Sequence, residues 1–238
     1  MSLLGFNSSR VRLEAENRAF GASVPAGALL LDAGAGDSPY HACYAHTAYE
    51  SADFEKVDRA YGATTYVCDL SAIPVEDGRF DAVVFSQVME HLPEPAAVLD
   101  ELFRVLRPGG RLLYSAPLFY EEHDVPYDFY RYTSYGVRHR MEAAGFEVER
   151  LEWLEGYYGT VAYQLNRMAK YLPVKPREIA PGLAGWLAAP VLAALKVVGA
   201  AGSVLFHRLE VRHKYTTQGY PKNFVAVVQK PGGTEDAA

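Results

Sequence analysis

Cysteine is scarce in this chain, and an excess of basic residues is absent. The 238 residues include two cysteines, Cys43 and Cys68, without a CxxC pair or any metal-ligand spacing. This usage predicts reduced thiols in a cytoplasmic protein, and the absence of a charged-then-apolar leader indicates no secretion. The formal net charge is −6, whereas nucleic-acid binding needs a clustered basic surface. No nucleic-acid partner is therefore expected.

The glycine turn near the N-terminus lacks the third glycine of a dinucleotide-binding motif. The stretch LLLDAGAGDSPY places Asp32 before Gly34 and Gly36, and Asp37 after them. A dinucleotide site carries GxGxxG after an apolar strand, with the pyrophosphate at the next helix N-terminus. The charge of Asp37 would repel that pyrophosphate. The pattern therefore disfavours a nicotinamide dehydrogenase and favours a ligand that carries a cation and a ribose.

The low hydrophobicity of a disordered chain is also absent, since half of the residues are hydrophobic. Apolar runs such as GALLLDAG and RFDAVVFSQV alternate with predicted helices. One of these is SPYHACYAHT, with Ser38 as its cap and Pro39 at the first helical position. This alternation predicts one α/β domain over residues 1–238, with a Rossmann-like, seven-stranded, mostly parallel sheet and helices on both faces. Its parts are an N-terminal helix at about 8–22, a core at about 28–155, a helical insertion at about 157–218 and a last strand at about 222–230.

Acidic residues stand at the ends of three successive predicted strands. They are Asp32, Asp53 and Asp69, and Asp53 follows Gly36 by seventeen positions. Ligands of open α/β sheets bind at the carboxyl ends of the strands. Asp53 can accept the two hydroxyls of a ribose, while Asp69 can accept from an adenine amino group with Leu70 packed on the ring. The alternative for each acid alone is a loop cap.

Four motifs in this order resemble the class I S-adenosylmethionine-dependent methyltransferases, most closely the type 11 group. They are LLLDAGAG, VCDLSAIPVEDGRFDAVVFSQVMEHL, ELFRVLRPGGRLLYSAP and AAGFEV, and the resemblance covers about residues 28–154. One departure is Ser38, where many members have glycine. The resemblance implies the Rossmann-like fold and S-adenosyl-L-methionine as cofactor. It implies that Asp32, Gly34 and Gly36 surround the methionine part of the cofactor and that Asp53 binds the ribose. Asp69 and Leu70 would hold the adenine, and Ser86 and Gln87 would line the pocket near the sulfonium.

The acceptor is expected at the loop PLFYEEHDVPYDFYRYT, which follows the fifth predicted strand. Some type 11 members carry a similar DFYRYT segment beside the presumed acceptor pocket. Tyr127, Tyr130 and Arg131 are the candidate acceptor-binding residues, because the Arg131 guanidinium suits a carboxylate or phosphate. His123 is a candidate base in the same loop, and Asp128 is the carboxylate alternative. The competing interpretation is a packed loop that covers the sheet.

The segment QVMEH holds a second candidate base, His91. A histidine titrates near neutral pH and can take a proton from an acceptor hydroxyl. The alternative is that His91 caps the loop beside Pro93. Relatives that methylate quinone-precursor phenols carry Glu-x-x-Glu-His here and can use a metal. This chain has Gln87 in place of the first glutamate, so no metal is expected.

The insertion contains GLAGWLAAPVLAALKVVGAAGSVLF, an almost continuous apolar run. It is about long enough to cross a bilayer, but Pro190, Lys196 and many small residues weaken that interpretation. Three roles stay open: a lid over the acceptor, a homodimer interface, and a peripheral membrane contact for a lipid-linked acceptor. The basic residues beyond it would then meet anionic headgroups.

The sequence thus predicts a methyltransferase that acts on a small-molecule or lipid-linked acceptor, at oxygen in preference to nitrogen or carbon. The chain lacks the Asn-Pro-Pro-Tyr segment typical of base and glutamine amino methylation. The alternative from another class is a methyltransferase-like protein that binds the cofactor without turnover and serves regulation or assembly.

Overall fold

The structure is a computed structural model that describes residues 8–57 and 61–232. The strands are β1 (Leu29–Ala33), β2 (Ala48–Asp53), β3 (Tyr66–Val67), β4 (Phe80–Ser86), β5 (Leu106–Pro117), β6 (Glu147–Trp153) and β7 (Asn223–Gln229). The helices are α1 (Ser8–Ser23), α2 (Pro95–Val105), α3 (Ser134–Ala143), α4 (Tyr157–Tyr171), α5 (Pro176–Ile179) and α6 (Leu183–Arg212). Two short 3₁₀ turns cover His41–Tyr44 and Met89–His91.

The described strands form one seven-stranded sheet in the order β3-β2-β1-β4-β5-β7-β6. The pairs among β1 to β5 are parallel, while β7 runs antiparallel to β5 and to β6. This arrangement confirms the predicted Rossmann-like, mostly parallel sheet. Strand order reverses between β1 and β4, and such a reversal opens a crevice at the carboxyl ends of the two strands.

The chain divides into two compact units. The α/β unit comprises the described residues 12–57, 61–154 and 223–232, and the helical unit comprises residues 8–11 and 155–222. The predicted insertion at about 157–218 corresponds to α4, α5 and α6, which end at Arg212.

The α/β unit buries apolar side chains on both faces of its sheet. Neighbouring residues of a strand point to opposite faces, and Leu30 and Leu31 accordingly belong to two different core clusters. One cluster includes residues of α2 and α3, and the other includes residues of α1. This burial on both faces explains why the strands appear in the sequence as continuous apolar runs.

The segment after the glycine turn does not form the helix that its sequence predicts. Only His41–Tyr44 forms a short 3₁₀ turn. Ser38, the predicted helix cap, has φ of 51°, a left-handed conformation that differs from the extended backbone of an N-cap. Tyr44 is fully buried and its hydroxyl donates to Asn17 Oδ1 at 2.7 Å. Packing of the segment onto α1 therefore replaces a regular helix.

The helical unit pairs α4 with α6 in antiparallel fashion. A Cβ on Gly156 would approach Glu210, and one on Gly199 would approach Met168. The Glu210 carboxylate accepts the backbone N–H groups of Gly156 and Gly159 at 2.8 and 3.1 Å, so it caps the N-terminus of α4. By length and composition alone, α6 could cross a membrane, and only 6% of its most apolar window is buried.

Candidate functional site

A cavity of about 410 Å³ opens in the α/β unit among the loops that follow β1, β2, β3 and β4. This is the edge of the sheet at which ligands of open α/β folds bind, and the volume is typical of a small-molecule site. The lining residues come from the glycine turn, from the ends of β2 and β3, from the start of α2 and from the loop after β5. They are Gly34, Asp53, Phe54, Lys56, Val57, Asp69, Leu70, Ser71, Gln87, Val88, His91, Leu92, Pro93, Glu94, Ala97, Val98, Asp124 and Tyr127.

The glycine turn is fixed by its backbone conformation and by a close neighbour. Gly34 has φ of +78°, and a Cβ at this position would lie 2.4 Å from Cγ2 of Val88. A side chain here would therefore be strained and would clash. The Gly34 N–H donates to the Ala52 carbonyl at 2.8 Å, and the Gly36 N–H donates to Asp53 Oδ2 at 2.9 Å. The turn is thus tied to the end of β2.

Two of the three predicted strand-end acids line the cavity. Asp53 accepts from the Gly36 N–H and, through its other oxygen, from the Glu55 N–H at 3.0 Å. Asp69 Oδ1 accepts from the backbone and the hydroxyl of Ser71 at 2.9 and 2.8 Å. These bonds lower the pKa of the Asp69 carboxyl below its ordinary value. Asp69 is therefore ionised at neutral pH.

The third acid, Asp32, lies behind the cavity. Its Oδ2 accepts the hydroxyl of Tyr49 at 2.5 Å. Burial raises the pKa of Asp32 to about 6, although the Tyr49 bond works in the opposite direction. Asp32 does not line the cavity, and it precedes Gly34 by two positions at the end of β1.

Of the remaining predicted cofactor residues, some line the cavity and others do not. Leu70 and Gln87 line the cavity with Gly34, Asp53 and Asp69, whereas Gly36 and Ser86 do not. Ser86 Oγ lies 2.6 Å from Ser115 Oγ, which links the ends of β4 and β5. Gln87 has φ of 60°, a strained conformation for a residue with a side chain and one found at functional sites.

The cavity has an acidic lining. Among the described residues that form it, four carry carboxylates (Asp53, Asp69, Glu94 and Asp124), and one, Lys56, carries an amine. Apolar side chains, including Leu70, Val88 and Val98, complete the walls. Carboxylates around an apolar cavity favour a ligand that has hydroxyl or amino donors and a positive charge.

His91 lines the cavity, and its Nε2 lies 3.7 Å from Glu90 Oε1 and 3.9 Å from Asp124 Oδ2. Its Nδ1 lies 2.5 Å from the carbonyl oxygen of Tyr127, and a carbonyl can only accept, so Nδ1 carries the proton and Nε2 keeps its lone pair. Burial lowers the pKa of the imidazole below its ordinary value, against the opposing effect of the Tyr127 carbonyl. His91 is therefore a neutral base at pH 7.

A buried carboxyl lies directly beside His91. Glu90 is fully buried, neither of its carboxyl oxygens has a hydrogen-bond partner, and Oε1 lies 3.7 Å from His91 Nε2. Burial raises the pKa of Glu90 to about 8, so this acid holds its proton at neutral pH. The Glu90 carbonyl oxygen also accepts from the backbone N–H of Phe129 at 2.8 Å, which anchors the acceptor loop.

His123, the other predicted base, packs against His91 but does not line the cavity. The two imidazoles meet edge to face with centroids 4.7 Å apart, and His123 Nδ1 lies 3.2 Å from the carbonyl oxygen of Glu121. One ligand atom from each of Glu90, His91 and His123 lies within 4.8 Å of the others, so this cluster could hold a metal. The ligand atoms of a tetrahedral zinc lie only about 3.4 Å apart, so the cluster would have to contract.

The acceptor loop is held by an internal ion pair. Arg131 donates to both carboxylate oxygens of Asp128 at 2.6 and 2.8 Å, and also to the carbonyl oxygen of Glu121. Burial would raise the pKa of Asp128, but the Arg131 hydrogen bonds outweigh it and lower the pKa to about 2. Neither residue lines the cavity. Binding of an acceptor by Arg131 stays a prediction, and it would require this pair to open.

The two predicted tyrosines of this loop have different positions. Tyr127 lines the cavity and meets Phe54 edge to face, with ring centroids 5.5 Å apart. Tyr130 is 39% exposed and donates to the Pro93 carbonyl at 3.2 Å. Tyr127 is thus positioned for contact with a ligand, whereas Tyr130 fastens the loop to the start of the α2 region.

Several lining residues were not among the sequence candidates. Phe54 follows Asp53 directly, so its place at the end of β2 was a usable signal. Glu94 and Asp124 carried no comparable signal, because each belongs to a loop whose path depends on tertiary packing. Glu90 does not line the cavity, and in the sequence it was considered only as part of a metal-binding motif. The sequence did not indicate that its carboxyl group would have no hydrogen-bond partner.

Comparison with known proteins identifies the α/β unit. Residues 31–114 match the type 11 family model described as "Methyltransferase domain". A "Probable S-adenosylmethionine-dependent methyltransferase" of Mycolicibacterium smegmatis is 36% identical over 111 residues, which is 44% of this chain and 41% of that protein. A ubiquinone biosynthesis O-methyltransferase of Xanthomonas oryzae is 36% identical over 103 residues, which is 38% of this chain and 43% of that protein. The chain thus spans less than half the length of these curated relatives.

Solved structures of low identity share the fold over nearly the whole chain. The [4+2]-cyclase SpnF has a TM-score of 0.56 and 21% identity, over 94% of this chain and 82% of that one. A 1,6-didemethyltoxoflavin-N1-methyltransferase of Burkholderia thailandensis, solved with 1,6-didemethyltoxoflavin and S-adenosylhomocysteine, has a TM-score of 0.54 and 14% identity, over 92% of this chain and 78% of that one. Over residues 31–114, the α/β unit is therefore similar to the S-adenosylmethionine-dependent methyltransferases of the type 11 family.

Proposed function

We propose that this protein transfers a methyl group from S-adenosylmethionine to an oxygen of a small-molecule or lipid-linked acceptor. One observation carries the proposal: His91, a neutral imidazole whose Nε2 keeps its lone pair, lines the same cavity as the strand-end acids Asp53 and Asp69. Methyl transfer from a sulfonium disperses charge in the transition state, so alignment in a water-poor pocket is the main requirement. A hydroxyl acceptor additionally needs a base.

The residues of the cavity fit the cofactor. Asp53 at the end of β2 would hold the ribose hydroxyls, and Asp69 with Leu70 would hold the adenine. Gly34 and Gln87 would flank the methionine part, where the close approach of Val88 leaves room only for backbone at position 34. When bound, the cofactor supplies the electrophilic methyl group. The acidic lining favours its positive charge.

His91 would accept the proton of the acceptor hydroxyl at Nε2. The Tyr127 carbonyl holds the ring in the required tautomer, as an orienting acceptor does for other catalytic histidines. Glu90, which keeps its proton, adds no negative charge that would raise the pKa of His91. His123 meets His91 edge to face and does not line the cavity, so we assign the base to His91.

We propose that the reaction proceeds without a metal. The first carboxylate of the Glu-x-x-Glu-His pattern is absent, and Gln87 stands in its place. Turnover should therefore persist after dialysis against a chelator. Loss of turnover that Mg²⁺ or Zn²⁺ restores would assign a metal to the cluster of Glu90, His91 and His123 and overturn the metal-free proposal.

The acceptor can be identified by a product screen. The protein would be incubated with S-adenosylmethionine and a panel of phenols and catechols, with and without isoprenoid chains, and then with amines as comparison. Mass spectrometry would detect acceptor methylation, and S-adenosylhomocysteine release would report turnover. We expect products methylated at oxygen. Products methylated only at nitrogen or carbon would contradict the oxygen assignment.

Melting temperatures measured beside this screen separate catalysis from cofactor binding alone. A ligand that binds only the folded state at a hundredfold excess over its Kd stabilises the protein by ~2.7 kcal/mol. S-adenosylmethionine and S-adenosylhomocysteine should therefore raise the melting temperature, and NAD should not. Stabilisation without turnover on any acceptor would instead favour a regulatory or assembly role.

A further inference from the structure

Helix α6 exposes a broad apolar face in the helical unit. Its buried residues, Gly185, Gly199, Ser203 and Glu210, lie on one side of the helix by their spacing. The large apolar residues of the stretch Leu183–Phe206 that are 56–73% exposed lie on the remaining arc and are Leu183, Trp186, Leu187, Val191, Val197, Val198 and Leu205. Val211, beyond this stretch, is also 66% exposed. Exposed apolar patches of this extent mark an interaction surface. We call this set the α6 apolar face.

The one charged residue within this stretch turns away from the face. From Leu183 to Phe206 the sequence contains a single charge, Lys196. The Lys196 ammonium donates to the carbonyl oxygens of Lys170 and Leu172 at 3.4 Å, at the C-terminal end of α4, where a cation is favourable. The α6 apolar face is thus free of charge over 24 residues, about 36 Å of helix.

Basic residues continue this face where the apolar residues end. Arg208 and Arg212 are exposed, and their helical positions extend the line of Leu187 and Leu205. A long apolar face that passes into guanidinium groups matches the boundary between acyl chains and anionic headgroups. We propose that the α6 apolar face lies in the surface of an anionic lipid bilayer, with Arg208 and Arg212 at the headgroups.

The connectivity favours lying in the surface over crossing the bilayer. The helical unit leaves β6 and returns to β7, and these two strands pair with each other. A crossing would require α4 to cross as well, because α4 pairs with α6 in antiparallel fashion. At 15 residues α4 is shorter than the about 20 that a bilayer needs, and it carries Gln164, Asn166 and Arg167.

The width of the face favours lipid over a second copy of the chain. The exposed apolar side chains cover about half of the helix circumference, from Trp186 on one side to Val191 on the other. A helix from a second copy would cover a narrower stripe, whereas acyl chains can surround the whole arc. A dimer through this face is the competing outcome.

Vesicle flotation tests the proposal directly. The whole protein would be mixed with vesicles of phosphatidylcholine alone, or of equal parts phosphatidylcholine and phosphatidylglycerol. We expect flotation with the mixed vesicles. The double variant L187E/V198E should lower vesicle binding by about tenfold or more, because two charges would enter the apolar region. The matched control V67E/Y135E places the same charges on exposed residues of the α/β unit and should bind as the unmodified protein does.

Two further measurements make the result decisive. The variant R208Q/R212Q should weaken binding to the mixed vesicles and leave binding to phosphatidylcholine unchanged. Circular dichroism melting should show that all variants fold. Light scattering without lipid should give the same mass for L187E/V198E as for the unmodified protein. Absence of vesicle binding, or a dimer that L187E/V198E converts to a monomer without any vesicle binding, would overturn the proposal. None of these readouts depends on methyl transfer.

Discussion

The α/β unit buries its large apolar side chains, whereas the helical unit leaves most of those on α6 exposed. In the α/β unit, Leu30, Leu31, Val83 and Leu112 are fully buried because helices cover both faces of the sheet. In the helical unit, α6 is equally apolar, but most of its large side chains remain exposed. Apolar composition alone therefore does not indicate a core. Whether such a run is buried depends on how many elements pack around it.

The proposed reaction chemistry belongs to the α/β unit, and the largest expected effect tests that proposal. Once an acceptor is known, His91→Ala should lower turnover by ~10²–10⁴-fold and leave cofactor affinity nearly unchanged. His139 is an exposed histidine on α3, so His139→Ala is the matched control. Steady-state kinetics and calorimetry would measure both quantities. If His91→Ala retains normal turnover, catalysis rests on alignment or on a carboxylate.

The contrast in burial predicts a large difference between two leucine truncations. Leu112→Ala in β5 should cost ~2–5 kcal/mol of unfolding free energy, because it leaves a cavity in the closed core. Leu187→Ala on α6 should change it by less than ~0.5 kcal/mol, because that side chain is 66% exposed. Urea denaturation of lipid-free protein would measure both. Equal costs would mean that the α6 apolar face is covered in solution.

Removal of the ribose carboxylate should weaken the cofactor without abolishing the fold. Asp53→Ala is expected to cost ~1–3 kcal/mol of binding free energy, because a charged acceptor of two hydroxyls is lost. Isothermal titration with S-adenosylhomocysteine would measure it. Asp100→Ala removes an exposed acid on α2 and serves as the control. Unchanged affinity in Asp53→Ala would point to another acid, with Glu50 as the first candidate.

The buried carboxyl beside His91 predicts a pH-dependent effect on stability. The pKa of Glu90 is raised to about 8 from 4.5, so its contribution to stability is fully present below pH 4.5 and is lost as pH rises toward 8. Glu90→Gln cannot ionise and should gain ~1–3 kcal/mol relative to the unmodified protein between pH 5 and pH 9. Thermal melting across this range would measure the gain. A pH-independent difference would contradict the assignment of a protonated Glu90.

The sequence alone determined most of the α/β unit. The strands β1, β4 and β7 follow from the apolar runs of the sequence, because local pattern and tertiary burial agree there. The strand-end acids followed from the same logic, since parallel strands bring their carboxyl ends to one edge. Asp53 and Asp69 accordingly line the cavity, while the helix predicted after Ser38 was wrong because packing of Tyr44 overrode local propensity.

Only the tertiary structure decided which side chains face the cavity and which support it. Asp32 and Ser86 come from the same motifs as Gly34 and Gln87, yet only Gly34 and Gln87 line the cavity. Asp32 and Ser86 belong to β1 and β4 and pair with Tyr49 and Ser115, whereas Gly34 and Gln87 are the first residues of the loops after these strands. In the acceptor loop, Asp128 and Arg131 pair with each other, and neither lines the cavity. The absence of hydrogen-bond partners around the Glu90 carboxyl and the exposure of the α6 apolar face both depend on which residues pack nearby. The order of residues along the chain does not contain that information.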